Sequence, residues 1–338
     1  MVEKNLYKDF EHEFAQYVRI LGKGQKGSRS LTQQEATSAF HMILEGKVLD
    51  VQLGAFLMLL RVKEESAEEL AGSVSAIKTH LAHQIAKHSI QVDIDWSSYA
   101  GKKKQLPWFL YSLFLLAENG YRIVLHGEGG HTLNRLYTHS LFHALNLPIA
   151  NTWEKISPLL DQYRFCYTPL ETLCPTLSHI IQLRNVLGLR SPVHTIARLI
   201  NPFDAPYSMQ GIFHPNYRPV HQEAALLLGF TRMAVMKGEG GECERNPNAD
   251  TLVQQVIDGN MKEATWPRTL PERTPGLEEL SLESFVDIWQ GKTENRYAEL
   301  AAIDTLAITL QLIHPDQSQT DSQEKARNWW HQRNKLFL

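Results

Sequence analysis

The sequence predicts an α/β protein in which a small helical domain (residues 1–88) precedes a larger domain (residues 89–338) built on a mainly parallel sheet. Two observations support this fold class. Up to about residue 85 the apolar residues recur only at helical spacing, whereas from about residue 90 short strand-like runs alternate with helical segments. Strands separated by helices are joined by right-handed crossovers, which make neighbouring strands parallel.

The helical domain is predicted from three amphipathic segments. In LTQQEATSAFHMILEG, Thr32 is placed to cap a helix, Glu35 completes a capping box, and Gly46 ends the helix. Two further helices are predicted in DVQLGAFLMLLRVK and SAEELAGSVSAIKTHL. The second begins near Ser66, with two glutamates in its first turn, where negative charge suits the helix dipole.

Four strands of the larger domain are predicted, at QVDIDW, YRIVLHG, RFCYTP and RMAVMKG, with helices at PWFLYSLFLLAENG and TLNRLYTHSLFHALN. Polar residues 267–281 are predicted to form a surface excursion, followed by helices at ENRYAELAAIDTLAITLQLI and in the C-terminal segment. Ligands of parallel sheets bind beyond the carboxyl ends of the strands. We therefore expect a site at the loops of residues 97–104, 126–132 and 237–244.

Composition limits the class of protein. The 338 residues have a formal net charge of -3, which predicts no global attraction to nucleic acid or to anionic membranes, so any site for a polyanion must be local. Three cysteines without a CxxC pair or zinc-ligand spacing indicate a reducing compartment. The charged N-terminus is unlike a signal peptide, and no apolar run is long enough to span a bilayer, so we expect a cytoplasmic protein without a membrane partner.

A glycine-rich turn follows the second predicted strand in VLHGEGGHTLNR, with a helix start expected near Thr132. The main-chain amides of Gly127, Gly129 and Gly130, reinforced by the helix dipole, could form an anion site. A tight turn without a ligand explains the same glycines equally well. His126 is the strongest histidine candidate, because it lies at the strand end inside this turn.

An acidic loop in MKGEGGECERNP contains Glu239, Glu242 and Glu244 after another predicted strand. Carboxylates at strand ends can hold Mg²⁺ while a ligand phosphate completes the coordination. A solvated acidic loop is the simpler interpretation. Glu244 is the one residue that we would assign to a metal, and only if transfer chemistry survives; otherwise we expect that no cofactor is required.

Three arginines, Arg184, Arg190 and Arg198, lie among apolar residues in RNVLGLRSPVHTIARLINPF. Arginine is suited to bidentate recognition of carboxylate or phosphate, so these side chains could line a polar cleft. Exposed helix arginines with buried stems are the alternative.

Two loops concentrate positive charge. The residues are Lys23, Lys26 and Arg29 in LGKGQKGSRS, and Lys102, Lys103 and Lys104 in GKKKQ. Either run could simply be a solvated loop. The second run, however, faces the predicted ligand side of the sheet, and Tyr99 beside it offers a ring on which a base could stack.

These motifs together resemble those of the anthranilate phosphoribosyltransferase family, which shares its fold with the pyrimidine nucleoside phosphorylases. LTQQEA, QLGAFLMLLRVK and AEELAG, within residues 31–77, are similar to the family's helical-domain pattern, and RNVLGLRSPVHTIARLINP is similar to its long loop-helix signature. The resemblance implies this fold for almost the whole chain, with the helical domain forming a dimer interface. It also matches Arg184 to the arginine that contacts anthranilate in the family's enzymes.

The active-site motifs differ from the family pattern. SYAGK, beginning at Ser98, replaces the Gly-Thr-Gly-Gly-Asp that surrounds pyrophosphate, LHGE replaces Lys-His-Gly-Asn, and GECE, ending at Glu244, replaces the metal-binding Gly-Leu-Asp-Glu. In the long signature, His194, Ala197 and Arg198 replace Asn, Gly and Pro.

These replacements bear on catalysis. Phosphoribosyl transfer develops positive charge on the sugar as pyrophosphate leaves, so a positioned Mg²⁺ and a tight glycine cradle supply much of the rate enhancement. Tyr99 would obstruct the cradle, Lys102 replaces a carboxylate by a cation, and Cys243 removes an oxygen ligand. The three changes predict weak or absent tryptophan-pathway activity, with His126 and Arg184 left in a vestigial pocket.

SYAGKKKQ, HTIARLINPF, HPNY and EGGECERNP resemble the YbiB-type branch of anthranilate phosphoribosyltransferase-like proteins. This resemblance implies a homodimer that binds single-stranded DNA or RNA without strong sequence selectivity and lacks the parent transferase activity. The expected basic groove comprises Lys23, Lys26, Arg29, Lys102, Lys103, Lys104, Arg190 and Arg198, and the expected anion-binding positions are Ser98, Tyr99, Gly101, Gly127, Gly129, Gly130 and Thr132. Two alternatives stay open: a phosphoribosyltransferase with an acceptor other than anthranilate, and a dimeric scaffold without a ligand.

Overall fold

Four helices form the N-terminal part of the computed structural model, which describes residues 11–24, 26–130 and 132–338. They are α1 (Ala15–Gly22), α2 (Gln33–Leu44), α3 (Asp50–Lys63) and α4 (Ala67–His88). The predicted capping box of α2 is confirmed, because the Thr32 hydroxyl accepts from the Glu35 amide and the Glu35 carboxylate accepts from the Thr32 amide. Ser66 and Glu69 cap α4 in the same way.

A single sheet organises the rest of the described chain. Its strands are β1 (Ile94–Ser98), β2 (Ile123–Gly127), β3 (Phe165–Pro169), β4 (Tyr207–Ile212), β5 (Arg232–Lys237), β6 (Thr251–Ile257) and β7 (Asn260–Trp266). Their order is β3-β2-β1-β4-β5-β6-β7, in which β1 to β5 are parallel and the β6–β7 hairpin is antiparallel. The predicted fold class, a helical domain followed by an α/β domain with a mainly parallel sheet, is confirmed.

Helices connect the strands and complete the C-terminal part. They are α5 (Phe109–Glu118), α6 (Thr138–Ala144), α7 (Trp153–Tyr163), α8 (Leu170–Leu173), α9 (Pro175–Gln182), α10 (Arg184–Leu187), α11 (Val193–Ile196), α12 (Tyr217–Leu227), α13 (Leu282–Gln290), α14 (Arg296–Ile313) and α15 (Gln319–Gln332). Across the described residues, we find no helix with both the length and the apolar content that crossing a bilayer requires.

Two hydrophobic cores flank the sheet. On one face, α5 and α14 pack against each other and against apolar residues of the strands, including Trp96 and Met209. On the other face, the core of the helical domain is continuous with the sheet through Val124 and Val235, and α4 contacts α12. The apolar faces of the strands are therefore covered on both sides, as expected for parallel strands.

One predicted helix begins later than expected. Residues 132–137 are irregular and α6 begins at Thr138, so Thr132 is not a helix cap and that prediction is wrong. Main-chain hydrogen bonds explain the difference: the amide of Lys102 donates to the carbonyl of Leu136, and the amide of Leu136 donates to the carbonyl of Lys102, both at 2.8 Å. This pairing holds the segment against the loop after β1.

The polar excursion at residues 267–281 lies at the surface as predicted, and it is folded onto the loop after β1. The amide of Leu277 donates to the carbonyl of Lys104 at 2.7 Å, and the side chain of Gln105 donates to the carbonyl of Pro275 at 2.9 Å. The excursion therefore forms one wall of the region beyond the strand ends.

Candidate functional site

The loops after β1, β2, β4 and β5 meet beyond the carboxyl ends of these strands. Each loop follows a parallel strand, so all four emerge at the same edge of the sheet, where ligands of such sheets bind. Hydrogen bonds join the β1 loop (residues 98–104) to the β5 loop (residues 238–244) and to the segment after β2. The sequence analysis predicted this location from the same property of parallel strands.

The anion position in the β1 loop is filled by a side chain of the protein. One carboxylate oxygen of Glu242 accepts from the amides of Ala100 and Gly101, at 2.6 and 2.7 Å. The other oxygen accepts from the Ser98 hydroxyl at 2.8 Å, and the Ser98 hydroxyl also lies 2.8 Å from that of Thr138. Ser98 and Gly101, two of the predicted anion-binding positions, thus donate to Glu242 of the protein itself.

Lys102 is buried, with 1% of its area exposed. Its ammonium lies 2.5 Å from Glu244 and 3.2 Å from Glu239. Burial alone would lower the pKa of Lys102, but the carboxylates of Glu244 and Glu239 outweigh it and raise that pKa. The prediction that Lys102 contributes to an exposed basic groove is wrong, because its charge is neutralised inside the protein.

Lys103 and Lys104 present their side chains to solvent, unlike Lys102. Their main-chain amides donate to one oxygen of Glu239, at 3.0 and 2.6 Å, which fixes the backbone of the loop. The two exposed ammonium groups therefore extend from a rigid turn.

Tyr99 and His126 are both buried, so neither can be reached by a ligand base. The Tyr99 hydroxyl lies 2.7 Å from Nδ1 of His126, and Nε2 of His126 lies 3.2 Å from Asp95. Burial raises the pKa of Tyr99 well above its usual value. The expectation that Tyr99 is a stacking surface is wrong. His126 lies between Tyr99 and Asp95 beneath the site, so its contacts are with the interior of the protein.

The glycine-rich turn after β2 is required by close packing at its first glycine. A Cβ atom at Gly127 would lie 2.0 Å from the carbonyl oxygen of Ser98, and Gly130 has a φ of +78°. The amide of Gly129 donates to the carboxylate of Glu128 at 3.1 Å. Close packing and backbone conformation thus explain Gly127 and Gly130. The amide of Gly129, one of the predicted anion-binding groups, already donates to Glu128.

Arginines gather beside this turn. The hydroxyl of Thr132 accepts from Arg184 at 2.8 Å and from Arg190 at 3.2 Å. Burial, together with the charges of Arg198 and Arg135, lowers the pKa of Arg190 to about 10. Like charges held this close favour an anionic ligand, because an anion would relieve their repulsion.

Arg198 belongs to the interior of this arginine group. Its side chain is buried, its guanidinium lies 5.8 Å from the centre of the Tyr99 ring, and it donates to the carbonyl of His194. Arg198 therefore adds positive charge beneath the surface of the site. The prediction that it contacts nucleic acid directly is wrong, because its side chain is buried.

A cleft of about 830 Å³ opens above these loops. The cationic side chains that line it are Lys103, Lys104, Arg135, Arg218, Lys237, Arg268 and Arg273. Its three lining carboxylates are those of Glu239, Glu244 and Asp250, and the first two are paired with Lys102. The cleft thus has a local excess of positive charge on a chain whose net charge is -3.

The aromatic side chain at the rim of the cleft is Phe213, which follows β4 and is 51% exposed. The sequence analysis did not identify Phe213 or the arginines of the cleft as site residues. Most of them lie in the β4–α12 connection and in the excursion, which were not among the loops predicted to form the site. A usable signal was present in the excursion, whose segment PRTLPERTP contains Arg268 and Arg273.

The second predicted basic cluster lies elsewhere. Lys23, Lys26 and Arg29 are exposed on the connection between α1 and α2, and Arg29 forms a salt bridge of 2.6 Å with Glu35. Within the described ranges, none of these three residues lines the cleft. Within one protomer, the first cluster is therefore not part of the cleft that Lys103 and Lys104 line.

A divalent metal does not fit the GECE loop in this arrangement. Both oxygens of Glu242 accept from donors of the β1 loop, while the oxygens of Glu244 accept from Lys102 and from the amide of Phe109 at 2.9 Å. Among the described residues, no cluster of three or more His, Cys, Asp or Glu residues could hold a metal ion. A cation would have to displace Lys102 and the main-chain donors.

Comparison with known proteins identifies two domains. Residues 15–81 match the helical bundle domain of a glycosyl transferase family, and residues 110–323 match the a/b domain of that family. Among solved structures, anthranilate phosphoribosyltransferase (TrpD) from Thermus thermophilus has a TM-score of 0.73 at 17% identity, covering 95% of this chain and 94% of that one. The Saccharomyces cerevisiae enzyme in complex with PRPP and Mg has a TM-score of 0.76 at 17% identity, covering 97% and 96%.

Curated relatives agree with this assignment. An uncharacterized protein from Aquifex aeolicus is 28% identical over 250 residues, covering 73% of this chain and 74% of that protein. The uncharacterized protein YbiB from Escherichia coli is 26% identical over 238 residues, covering 70% and 73%. Anthranilate phosphoribosyltransferase from Histophilus somni is 23% identical over 310 residues, covering 88% and 90%. The chain therefore belongs to this glycosyl transferase family, as an anthranilate phosphoribosyltransferase-like protein of the YbiB type.

Proposed function

We propose that this protein binds single-stranded nucleic acid, with little sequence selectivity, in the cleft beyond the carboxyl ends of β1, β4 and β5. The observation that supports it best is the combination of exposed cations with one exposed aromatic ring, Phe213, around a single cleft. Proteins that bind single strands without sequence preference pair a positive groove that follows the phosphates with aromatic rings that stack on bases.

The electrostatics of the cleft favour a polyanion over a small anion. Seven cationic side chains from several separate segments line this one cleft, so a ligand with several phosphates can contact more than one of them. The single positive charge of Lys102 offsets part of the negative charge of Glu239 and Glu244 on the cleft wall, which reduces their repulsion of phosphates. A strand that passes several cations in succession would release counterions at each contact.

Low sequence selectivity follows from the type of side chain present. Lysine and arginine contact phosphates regardless of base, and every base has a face that can stack on Phe213. In a homodimer, which the resemblance implies, a two-fold axis would supply a second cleft, so one long strand could engage both. Localisation in the cytoplasm, where such a ligand is present, is part of the same proposal.

The test is fluorescence anisotropy of a labelled single-stranded oligonucleotide across a salt series, with a duplex of the same sequence as the control. We expect tighter binding of the single strand, and an affinity whose logarithm falls with the logarithm of salt by about 0.7 for each phosphate neutralised. Binding that does not depend on salt, or that strongly prefers the duplex, would contradict the proposal.

A transferase with an acceptor other than anthranilate is the second candidate, favoured by the arginines beside Thr132. Arg184 and Arg190 could hold a carboxylate of an acceptor. A donor of the phosphoribosyl pyrophosphate type, with Mg²⁺, would require Glu242 and Lys102 to leave their present partners. Thermal stability with this donor and Mg²⁺ tests it, since a ligand at 100 times its Kd adds roughly 2.7 kcal/mol. No shift at millimolar concentrations would exclude this candidate.

A further inference from the structure

The carboxylate of Glu242 occupies a position that is built for an anion. Three donors of the β1 loop converge on it: the amides of Ala100 and Gly101 at 2.6 and 2.7 Å, and the hydroxyl of Ser98 at 2.8 Å. Glu242 has 1% of its area exposed, so these bonds are formed out of contact with water. Consecutive main-chain amides that point to one place are the usual way in which loops at strand ends bind phosphate or carboxylate.

Positive charge reinforces the position. The buried guanidinium of Arg198 is near enough for the charge of Glu242 to act on it, opposing the lowering of the Arg198 pKa by burial. Arg198 also lies against Gly241, since a Cβ atom there would be 3.3 Å from its guanidinium nitrogen. Hydrogen bonds therefore hold the carboxylate, and the positive charge of Arg198 adds an electrostatic attraction.

The β5 loop is shaped to insert this carboxylate. A Cβ atom at Gly238 would lie 1.8 Å from the carbonyl oxygen of Glu242, and one at Gly211 would lie 2.3 Å from its carbonyl carbon. Gly240 and Gly241 have φ values of +69° and +105°, which favour glycine. Glycine at these four positions lets the loop pass close under the site, so the insertion is part of the architecture.

Neighbouring contacts lock the loop in place on both sides of Glu242. Before it, Glu239 accepts from the amides of Lys103 and Lys104. After it, Glu244 accepts from the amide of Phe109 at 2.9 Å and from Lys102 at 2.5 Å. Each glutamate of the loop thus takes donors that would otherwise be available to an external anion.

We propose that Glu242 is an internal plug in a main-chain anion site, and that this plug closes the β1 loop to phosphate and diphosphate groups. Without the carboxylate, the same three donors would form a site for a small oxyanion such as acetate, inorganic phosphate or pyrophosphate. The inference is independent of nucleic-acid binding in the cleft, because it concerns donors that are buried beneath the cleft.

Anion rescue of Glu242→Ala tests the plug. The variant is expected to unfold at a lower temperature than wild type, because three buried donors lose their acceptor, and to recover at least half of the loss when acetate, phosphate or pyrophosphate is added at constant ionic strength. Wild type and the control variant Glu263→Ala, an exposed glutamate on β7, should show no such response. A destabilised variant that no anion rescues beyond its effect on wild type would overturn the proposal, and so would an unchanged melting temperature.

A measurement on the wild-type protein keeps the proposal testable if Glu242→Ala does not fold. The amide resonances of Ala100 and Gly101 in a ¹H–¹⁵N spectrum should stay in place when pyrophosphate is added, since Glu242 already holds both groups. Glu242→Gln keeps the size of the side chain and one acceptor oxygen but removes the charge, so its side chain should still fill the position and the same resonances should again stay in place. Saturable shifts in wild type would show that the site is open and would refute the plug.

Discussion

The ammonium of Lys102 lies 2.5 Å from a carboxylate oxygen of Glu244, and both side chains are buried. Glu239 lies 3.2 Å away on the other side. The first lysine of the Lys-Lys-Lys run is therefore an internal counter-ion that joins the β1 loop to the β5 loop. The exposed charge of the cleft comes from the residues around this pair.

Lys102→Met should destabilise the protein strongly. Removing one partner of a buried ion pair leaves Glu244 with an uncompensated charge, which costs about 3–5 kcal/mol. We expect a loss of this size in denaturant-induced unfolding. The folded variant should also bind a single-stranded oligonucleotide less tightly, because Glu239 and Glu244 on the cleft wall lose the cation that offsets them.

The double variant Lys102→Met/Glu244→Gln provides the control, because it removes both charges and keeps an acceptor near the amide of Phe109. It should recover part of the stability lost by Lys102→Met. A double variant less stable than the single one, or a single variant as stable as wild type, would contradict the assigned role.

Charge reversal of the two exposed lysines should weaken binding and lower its salt dependence. Lys103→Glu/Lys104→Glu removes two phosphate contacts, so the slope of log affinity against log salt should fall by about 1.4 for a single strand. Lys155→Glu/Lys262→Glu changes the net charge equally at exposed positions outside the cleft lining. Anisotropy titrations that give both variants the same slope would remove the β1 loop from the binding site.

Phe213→Ala should reduce affinity by a different mechanism. Loss of one stacked base costs about 1–3 kcal/mol, yet no charge is removed, so the salt slope should match wild type. Met261→Ala, at a residue of β7 that is 47% exposed and does not line the cleft, should bind normally. An unchanged affinity of Phe213→Ala would mean that the ring does not contact a base.

Acid should destabilise the fold partly through His221. Burial, with Arg198 nearby, lowers the pKa of His221 from 6.5 to about 3, and its Nδ1 lies 2.9 Å from the amide oxygen of Gln210. Below pH 6.5 the unfolded chain binds a proton that the folded chain does not, so the free energy of unfolding falls as the pH decreases toward 3. Between about pH 7 and about pH 5, His221→Gln should lose roughly 2 kcal/mol less stability than wild type. Equal losses in denaturant titrations would contradict this.

Local sequence patterns predicted the parts of the fold that depend on local interactions. The capping box of Thr32 and Glu35 is an interaction within four residues, and β1, β2, β3 and β5 were predicted from their apolar runs. The strand β4, with the sequence YSMQGI, was missed because it has few β-branched or aromatic residues. The β6–β7 hairpin was also missed, although its Asp258-Gly259 turn, with φ of 49° and 77°, is a strong hairpin signal.

The sequence predicted where the site lies but not which side chains contact one another there. Strand ends placed the three loops together, whereas the partner of Lys102 is 142 residues away in the chain and no local pattern indicates it. A run of three lysines normally lies in solvent. Lys102 is buried instead, because the carboxylates of Glu239 and Glu244 neutralise its charge. Arg135, Arg218 and Phe213 were missed because only the tertiary fold brings them to the cleft.

The position of a bound strand tests the central claim most directly. A single-stranded oligonucleotide containing 5-bromouracil is bound to the wild-type protein, cross-linked by ultraviolet light, and the modified peptides are identified by mass spectrometry. The account predicts adducts at Phe213, the exposed aromatic side chain of the cleft, or at His214 beside it. Adducts confined to the exposed connection of Lys23, Lys26 and Arg29, or to surfaces away from the cleft, would contradict it.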